Sequence, residues 1–236
     1  MSSENFHFVK QGMFHVLDEQ LRAFQARQGD SSVKGRYESI LADEWGVNDC
    51  RLDGIAASDF EQAVENHQNA AALMLARPVI GLLDTDVIRD VHSMMAFGLS
   101  EEAGVFRNKE ISPVFENHVP LESAAIEAAL ANLVEWTSAD SFAELHPVQQ
   151  TALVLIRLLD ICPFADATPR TCRLLANGYL LGAGFPPAIF WPENGDEYQQ
   201  AVQAGLAMDT SKLTAALANS LTHIFDLCLE KTAASE

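Results

Sequence analysis

Residues 146–184 read HPVQQTALVLIRLLDICPFADATPRTCRLLANGYLLGAG. The first part is an apolar run opened by His146 and Pro147, and the spacing predicts a helix over 147–161. A second helix is predicted over 170–182. The short stretch CPFADATPR joins them, and its Thr168–Pro169 pair carries a local signal. Proline suits the first turn of a helix and threonine suits the position before it, so the pair reads as a self-capped helix start. On that reading the helix begins within one residue of Pro169, with the Thr168 hydroxyl near a first-turn N–H.

Working outward, the same period recurs along most of the chain. Phe8, Met13 or Phe14, Val16 or Leu17, Leu21 and Phe24 predict a helix over 8–27. QGDSSVKG (28–35) reads as a loop or hinge. After an irregular segment from Tyr37 to Trp45, helical periodicity resumes at Asp59 and runs to Arg77, where Pro78 stops it. Further helices are predicted over 84–98, opened by Asp84 and Thr85, over 122–136, and over 196–231 with a break near Asp209. Only NKEISPVFENHVP (108–120) resembles strand, as a short hairpin or extended flap containing two prolines. The fold class is therefore all-α, with an N-terminal helical extension and loop at 1–57 and the main domain at 58–236.

The chain has 15 basic and 33 acidic side chains, a net charge of −18. Such a balance repels phosphate backbones and anionic lipid, so neither nucleic acid nor an acidic membrane surface is an expected partner. No apolar run reaches the roughly 20 residues of a membrane span, and MSSENFHFVKQG lacks a signal-peptide core. The expected compartment is the cytoplasm. Cys50, Cys162, Cys172 and Cys228 lack the close pairing of a zinc site and read as free thiols.

CPFADATPRTCR (162–173), set between two helices, resembles the signature of the Fic (Fido-domain) family, HPF-x-[D/E]-GNGR-x-x-R. Pro163, Phe164, Asp166, Arg170 and Arg173 match it. Cys162 stands at the histidine, and Ala167, Thr168 and Pro169 replace the glycine, asparagine and glycine. IRDVHSMMAFGLSEEAGVFR (88–107) is similar to the family's helix and "aG.yR" block, with His92, Gly104 and Arg107 in register. The segment 108–120 lies where the family has a target-binding flap, and 197–226 resembles its last helices. The resemblance implies a Fic-like helical bundle over roughly 58–230.

It also implies a chemistry that this sequence has largely lost. In the family the histidine is the base, the acid holds magnesium, the glycine turn wraps phosphates and the arginines offset their charge. A thiol, with a reference pKa of about 8.5, does not replace an imidazole base near 6.5. Pro169 has no N–H and a fixed φ, so it cannot build a phosphate cradle. Cys162 is read as a reactive thiol or an inert packed residue. Asp166 is read as a metal ligand or a helix-end acid, and Arg170, Arg173 and Thr168 as anion-binding residues or internal partners. QAVENHQNA (62–70) partly matches the family's inhibitory pattern, which makes Glu65 a candidate partner for Arg173. The leading expectation is a Fic-fold interaction or regulatory module without AMP transfer, needing no cofactor and meeting a protein partner through the flap at 108–120. The alternative is an active enzyme, either an adenylyltransferase using ATP and magnesium or a thiol enzyme at Cys162.

Overall fold

The structure is a computed structural model that describes residues 3–76, 83–116 and 118–229. Its helices are α1 (Ser3–Ala26), α2 (Ser31–Ser39), α3 (Gly46–Leu52), α4 (Phe60–Ala76), α5 (Thr85–Met95), α6 (Ile126–Thr137), α7 (Asp140–Ala143), α8 (Pro147–Ile161), α9 (Thr168–Gly182), α10 (Gly195–Leu206) and α11 (Ser211–Leu229). Among the described residues there is no strand. None of the described helices is long and apolar enough to cross a membrane.

The start of α8 follows from its sequence. Pro147 fills a first-turn position that needs no N–H, the His146 side chain accepts from Val148 N, and Gln149 reaches back to His146 N. Helix α5 is capped by Asp84, which accepts from Val87 N at 2.7 Å. At the other end of the chain, Arg36 donates to Cys228 O and Arg27 to Leu229 O. These cations meet the last carbonyls of α11, where the helix dipole favours positive charge.

Helix α9 is the axis of the domain. From Arg170 to Leu180 every residue is buried, and α8 packs along it while α4 and α5 cover other faces. Helix α11 packs against α1, α2, α8 and α10. Leu17, Phe24, Val33 and Trp45 from the N-terminal segment enter the same core as Leu158, Leu174 and Phe225.

Two stretches differ from their sequence reading. Only a short turn remains of the loop expected at 28–35, because Asp30 caps α2 by accepting from Ser32 N. Ile40–Trp45 then forms a π-turn that carries α2 into α3 without a break. Among the described residues of 108–120 no strand forms; the segment is irregular, with bends at Lys109, Val114 and Phe115, and Pro113 and Pro120 have no N–H for a ladder. The break near Asp209 is present, with Met208 at φ 71. Arg77, Pro78 and the end of the last helix beyond Leu229 lie outside the described residues.

Packing between α8 and α10 is close enough to exclude a methyl group. A Cβ at Gly205 would stand 2.4 Å from Ile156 Cδ1 and 2.6 Å from its Cγ1. Gly205→Ala is therefore expected to lower stability by about 1–3 kcal/mol despite the better helix propensity of alanine. In an Ile156→Ala background the cost should shrink, as a urea-denaturation cycle over the four variants will measure.

Candidate functional site

The loop between α8 and α9 is held from below by Arg107, which is 3% exposed. Its Nε donates to Cys162 O at 2.7 Å, its Nη2 to Ile161 O and Leu121 O, and its Nη1 to Lys109 O at 3.2 Å. The Arg107 backbone N–H donates to Pro163 O. One buried cation thus caps the end of α8 and ties both ends of the flap to it. Cys162 takes a left-handed conformation, φ 48 and ψ 66, that costs a residue with a Cβ about 1–2 kcal/mol.

His92 supports the loop from the side. Its ring stacks on Phe164 with centroids 3.6 Å apart and planes at 5°. Gly104 N–H donates to Nδ1 at 2.9 Å, so the ring proton sits on Nε2, which donates to Asp166 O at 3.2 Å. Burial pushes the imidazole below its ordinary pKa, outweighing the pull of the Asp166 carbonyl and carboxylate. His92 is a neutral strut.

Helix α9 begins at Thr168, within the register that the Thr168–Pro169 pair predicts, but the capping is different. Ala167 occupies the cap position at φ 50 and ψ 5, and no side chain caps the helix. The Thr168 hydroxyl points back and donates to Phe164 O at 3.0 Å. Because Thr168 is already helical, its hydroxyl is on the wrong side of the first-turn N–H groups. The left-handed turn usually given to glycine is thus made by alanine here.

Arg173, 3% exposed, is held through Nε and Nη2 by Asp49 of α3 and by Asp53 just after it. Its Nε donates to Asp49 Oδ1 at 2.5 Å, its Nη2 to Asp53 Oδ1 at 2.7 Å and to Asp49 O at 3.1 Å. Asp49 also meets His67 Nε2 at 3.0 Å. Burial alone would raise the Asp49 pKa, yet Arg173 and His67 hold it below the ordinary carboxylate range. Burial likewise opposes the charge on Arg173, and the two aspartates outweigh it. Arg170 has a looser contact, 3.7 Å to Asp53 Oδ2, and its buried Nε has no hydrogen-bond partner.

These groups line a cavity of about 490 Å³. Asp166, Ala167, Pro169, Arg170 and Arg173 form one wall, Asp53, Gly54 and Asp59 another, and Val114 and Phe115 of the flap a third. The donor set does not fit a magnesium nucleotide. Arg173 is neutralised, Pro169 offers no N–H, and Asp53, Asp59 and Asp166 set three carboxylates against two arginines. Asp166 is one half-exposed carboxylate beside His92, and a hard cation needs several oxygens. Among the described residues no three His, Cys, Asp or Glu side chains converge for a metal ion.

Two of the residues singled out in the sequence stand elsewhere. Glu65 is exposed on α4, beside Val64 and Gln68, and forms no ion pair with either arginine. The α4 residues that turn inward are Asn66, which donates to Met95 O and Phe97 O, and His67. Cys162 is buried, and burial raises its thiol pKa against the Thr168 contact and the Arg107 charge. It is a packed thiol. Asp49 and Asp53 escaped sequence reasoning, although DCRLDG (49–54) places acids four apart on one helix face before a turn.

The comparisons with known proteins agree with this fold. Residues 82–180 match the model of the Fic/DOC family. Fic-1 from C. elegans superposes with a TM-score of 0.78 at 17% identity, over 95% of this chain and 73% of that one. A Fic-domain signaling protein from Bacteroides thetaiotaomicron gives 0.77 at 17%, over 92% and 97%. The protein adenylyltransferase Fic of Drosophila willistoni is 29% identical over 131 residues, 56% of this chain and 26% of that protein. The matched stretch thus covers about a quarter of that relative's length. Residues 82–180 are thus similar to the Fic/DOC family, and the helical fold is that of the solved Fic structures.

Two outcomes test the site's electrostatics. Arg173→Met leaves the buried Asp49 with only His67 and Asp53 with only its loose Arg170 contact, and is expected to cost about 3–5 kcal/mol in chemical denaturation. Adding Asp49→Leu should recover part of the loss. For His92 the folded pKa lies below the unfolded value of about 6.5, so the unfolded chain binds the proton first. Stability should fall as pH drops through about 6.5, and His92→Gln should remove up to one proton from that dependence, about 1.4 kcal/mol per pH unit.

Proposed function

We propose that this chain is a Fic-fold binding or regulatory module without AMP-transfer activity, whose cleft takes a compact ligand with one anionic group at Arg170. The observation that carries the reading is the closure of Arg173 by Asp49 and Asp53. A guanidinium paired with two carboxylates has no net positive charge left for a phosphate chain. The buried thiol of Cys162 supplies no general base, and its raised pKa argues against a nucleophile. Arg170, with its slack contact and unpartnered Nε, is the cation of the cleft that its neighbours satisfy least.

The exposed apolar side chains Phe97, Val114 and Val119 near the cleft and flap support a protein partner there. Cys50, Cys162, Cys172 and Cys228 are free and buried, which supports a reducing compartment such as the cytoplasm. A second reading, residual adenylyl transfer, is favoured by the left-handed turns at Cys162 and Ala167, which keep a glycine-like loop path, and by the names of the relatives.

Calorimetry with ATP and magnesium separates the two. No measurable heat is expected, and Cys162→His incubated with labelled ATP should give no self-modification. General-base catalysis contributes about 10²–10⁴-fold, and only to a nucleotide already held. Micromolar ATP binding abolished by Arg170→Ala would overturn the proposal.

A further inference from the structure

A second cavity, of about 440 Å³, lies behind Tyr198 between the 189–194 segment, the first turns of α10 and the exposed side of α11. Its size falls within the range of small-ligand sites. The walls are aromatic. Phe190 and Tyr198 pack with centroids 4.4 Å apart, and Trp191 meets His223 edge-on at 4.8 Å. The indole is fixed from outside, since Trp191 Nε1 donates to Glu44 Oε2 at 3.2 Å. The floor is fixed as well. Ser220 Oγ donates to Ile189 O and accepts from Ile189 N, so its hydrogen bonds are made within the protein.

Beside the aromatic faces, the lining carries the neutral polar side chains of Asn194 and Asn219, the His223 ring and two carboxylates. Glu193 and Glu197 line it and are exposed, and no lysine or arginine does. Tyr198 is 3% exposed, and its hydroxyl makes no hydrogen bond of acceptable geometry. Burial raises that hydroxyl to about 12 against the pull of Arg173, so it stays protonated. The place of Glu197 in the first turn of α10 accounts for an acid there through the helix dipole. The dipole does not account for the aromatic hollow beside it. An anion is repelled by both glutamates, and the chain carries a net charge of −18.

We infer that this cavity binds an organic cation, a protonated or quaternary alkylammonium group held between Trp191, Phe190 and Tyr198 with Glu193 and Glu197 as counter-charges. Aromatic faces attract cations through their quadrupole, and partial desolvation in a hollow strengthens the attraction. The same headgroup occurs in free methylated amines and in methylated lysine side chains. The inference is independent of any role for the Arg170 cleft.

The test uses the full chain at constant ionic strength, with binding read from saturation-transfer NMR of the ligand methyl protons. Choline should bind, and 3,3-dimethyl-1-butanol, the same shape without charge, should bind at least about tenfold more weakly. Glu197→Gln should weaken choline several-fold. Trp191→Phe keeps an aromatic wall and should retain binding that Trp191→Ala loses, which separates ligand contact from misfolding. A trimethyllysine peptide compared with choline distinguishes the sources: tighter peptide binding indicates a partner's side chain, tighter choline binding a free small cation. Equal binding of choline and its neutral analogue, or no binding of either ammonium probe, would overturn the inference.

Discussion

Arg107 holds together what the rest of the site depends on. Where α8 stops, its last carbonyls would face the protein interior without partners, and an unmet buried carbonyl is costly. The guanidinium and backbone N–H of Arg107 satisfy Ile161, Cys162 and Pro163, and the same side chain reaches Lys109 and Leu121 at the two ends of the flap. The chain can then turn through a left-handed Cys162 and a left-handed Ala167 and enter α9 at an angle set from outside the loop. The loop path is thus imposed by a neighbour rather than by the flexibility of its own residues.

That explains how a loop with left-handed turns at Cys162 and Ala167 is held without glycine at either position. His92, neutral and stacked on Phe164, props the Asp166 carbonyl. With the backbone fixed this way, the cleft's character is decided by which side chains project into it. Asp49 on α3 and Asp53 just after it answer Arg173 and form a buried ion network beside the cleft. A buried pair of this kind contributes little net stability over an apolar replacement, but removing one partner is expensive. It ties the N-terminal segment to the central helix.

The two cavities share Tyr198 as a wall and have opposite characters. One keeps arginines partly or wholly neutralised by aspartates, and the other has aromatic faces with acids at its edge. Their separation rests on α10, whose close approach to α8 at Gly205 sets the position of the Tyr198 helix.

The sequence by itself determined the helical class, the α8–loop–α9 frame, the break near Asp209 and the start of α9, because these rest on local period, proline geometry and capping chemistry. It also marked the departures at 162 and 167–169. It did not determine the capping role of Thr168, since whether a threonine caps or sits one residue inside the helix depends on the φ of Ala167, which Arg107 and His92 set from distant elements. Nor did it reveal the partners of Arg173. Glu65 matched a pattern, yet α4 is rotated so that Asn66 and His67 face inward, a rotation fixed by packing against α3, α5 and α9. Asp49 and Asp53 lie 124 and 120 residues before the arginine they bind. Only the tertiary structure decided that contact, because burial of a charge selects its partner by proximity in space.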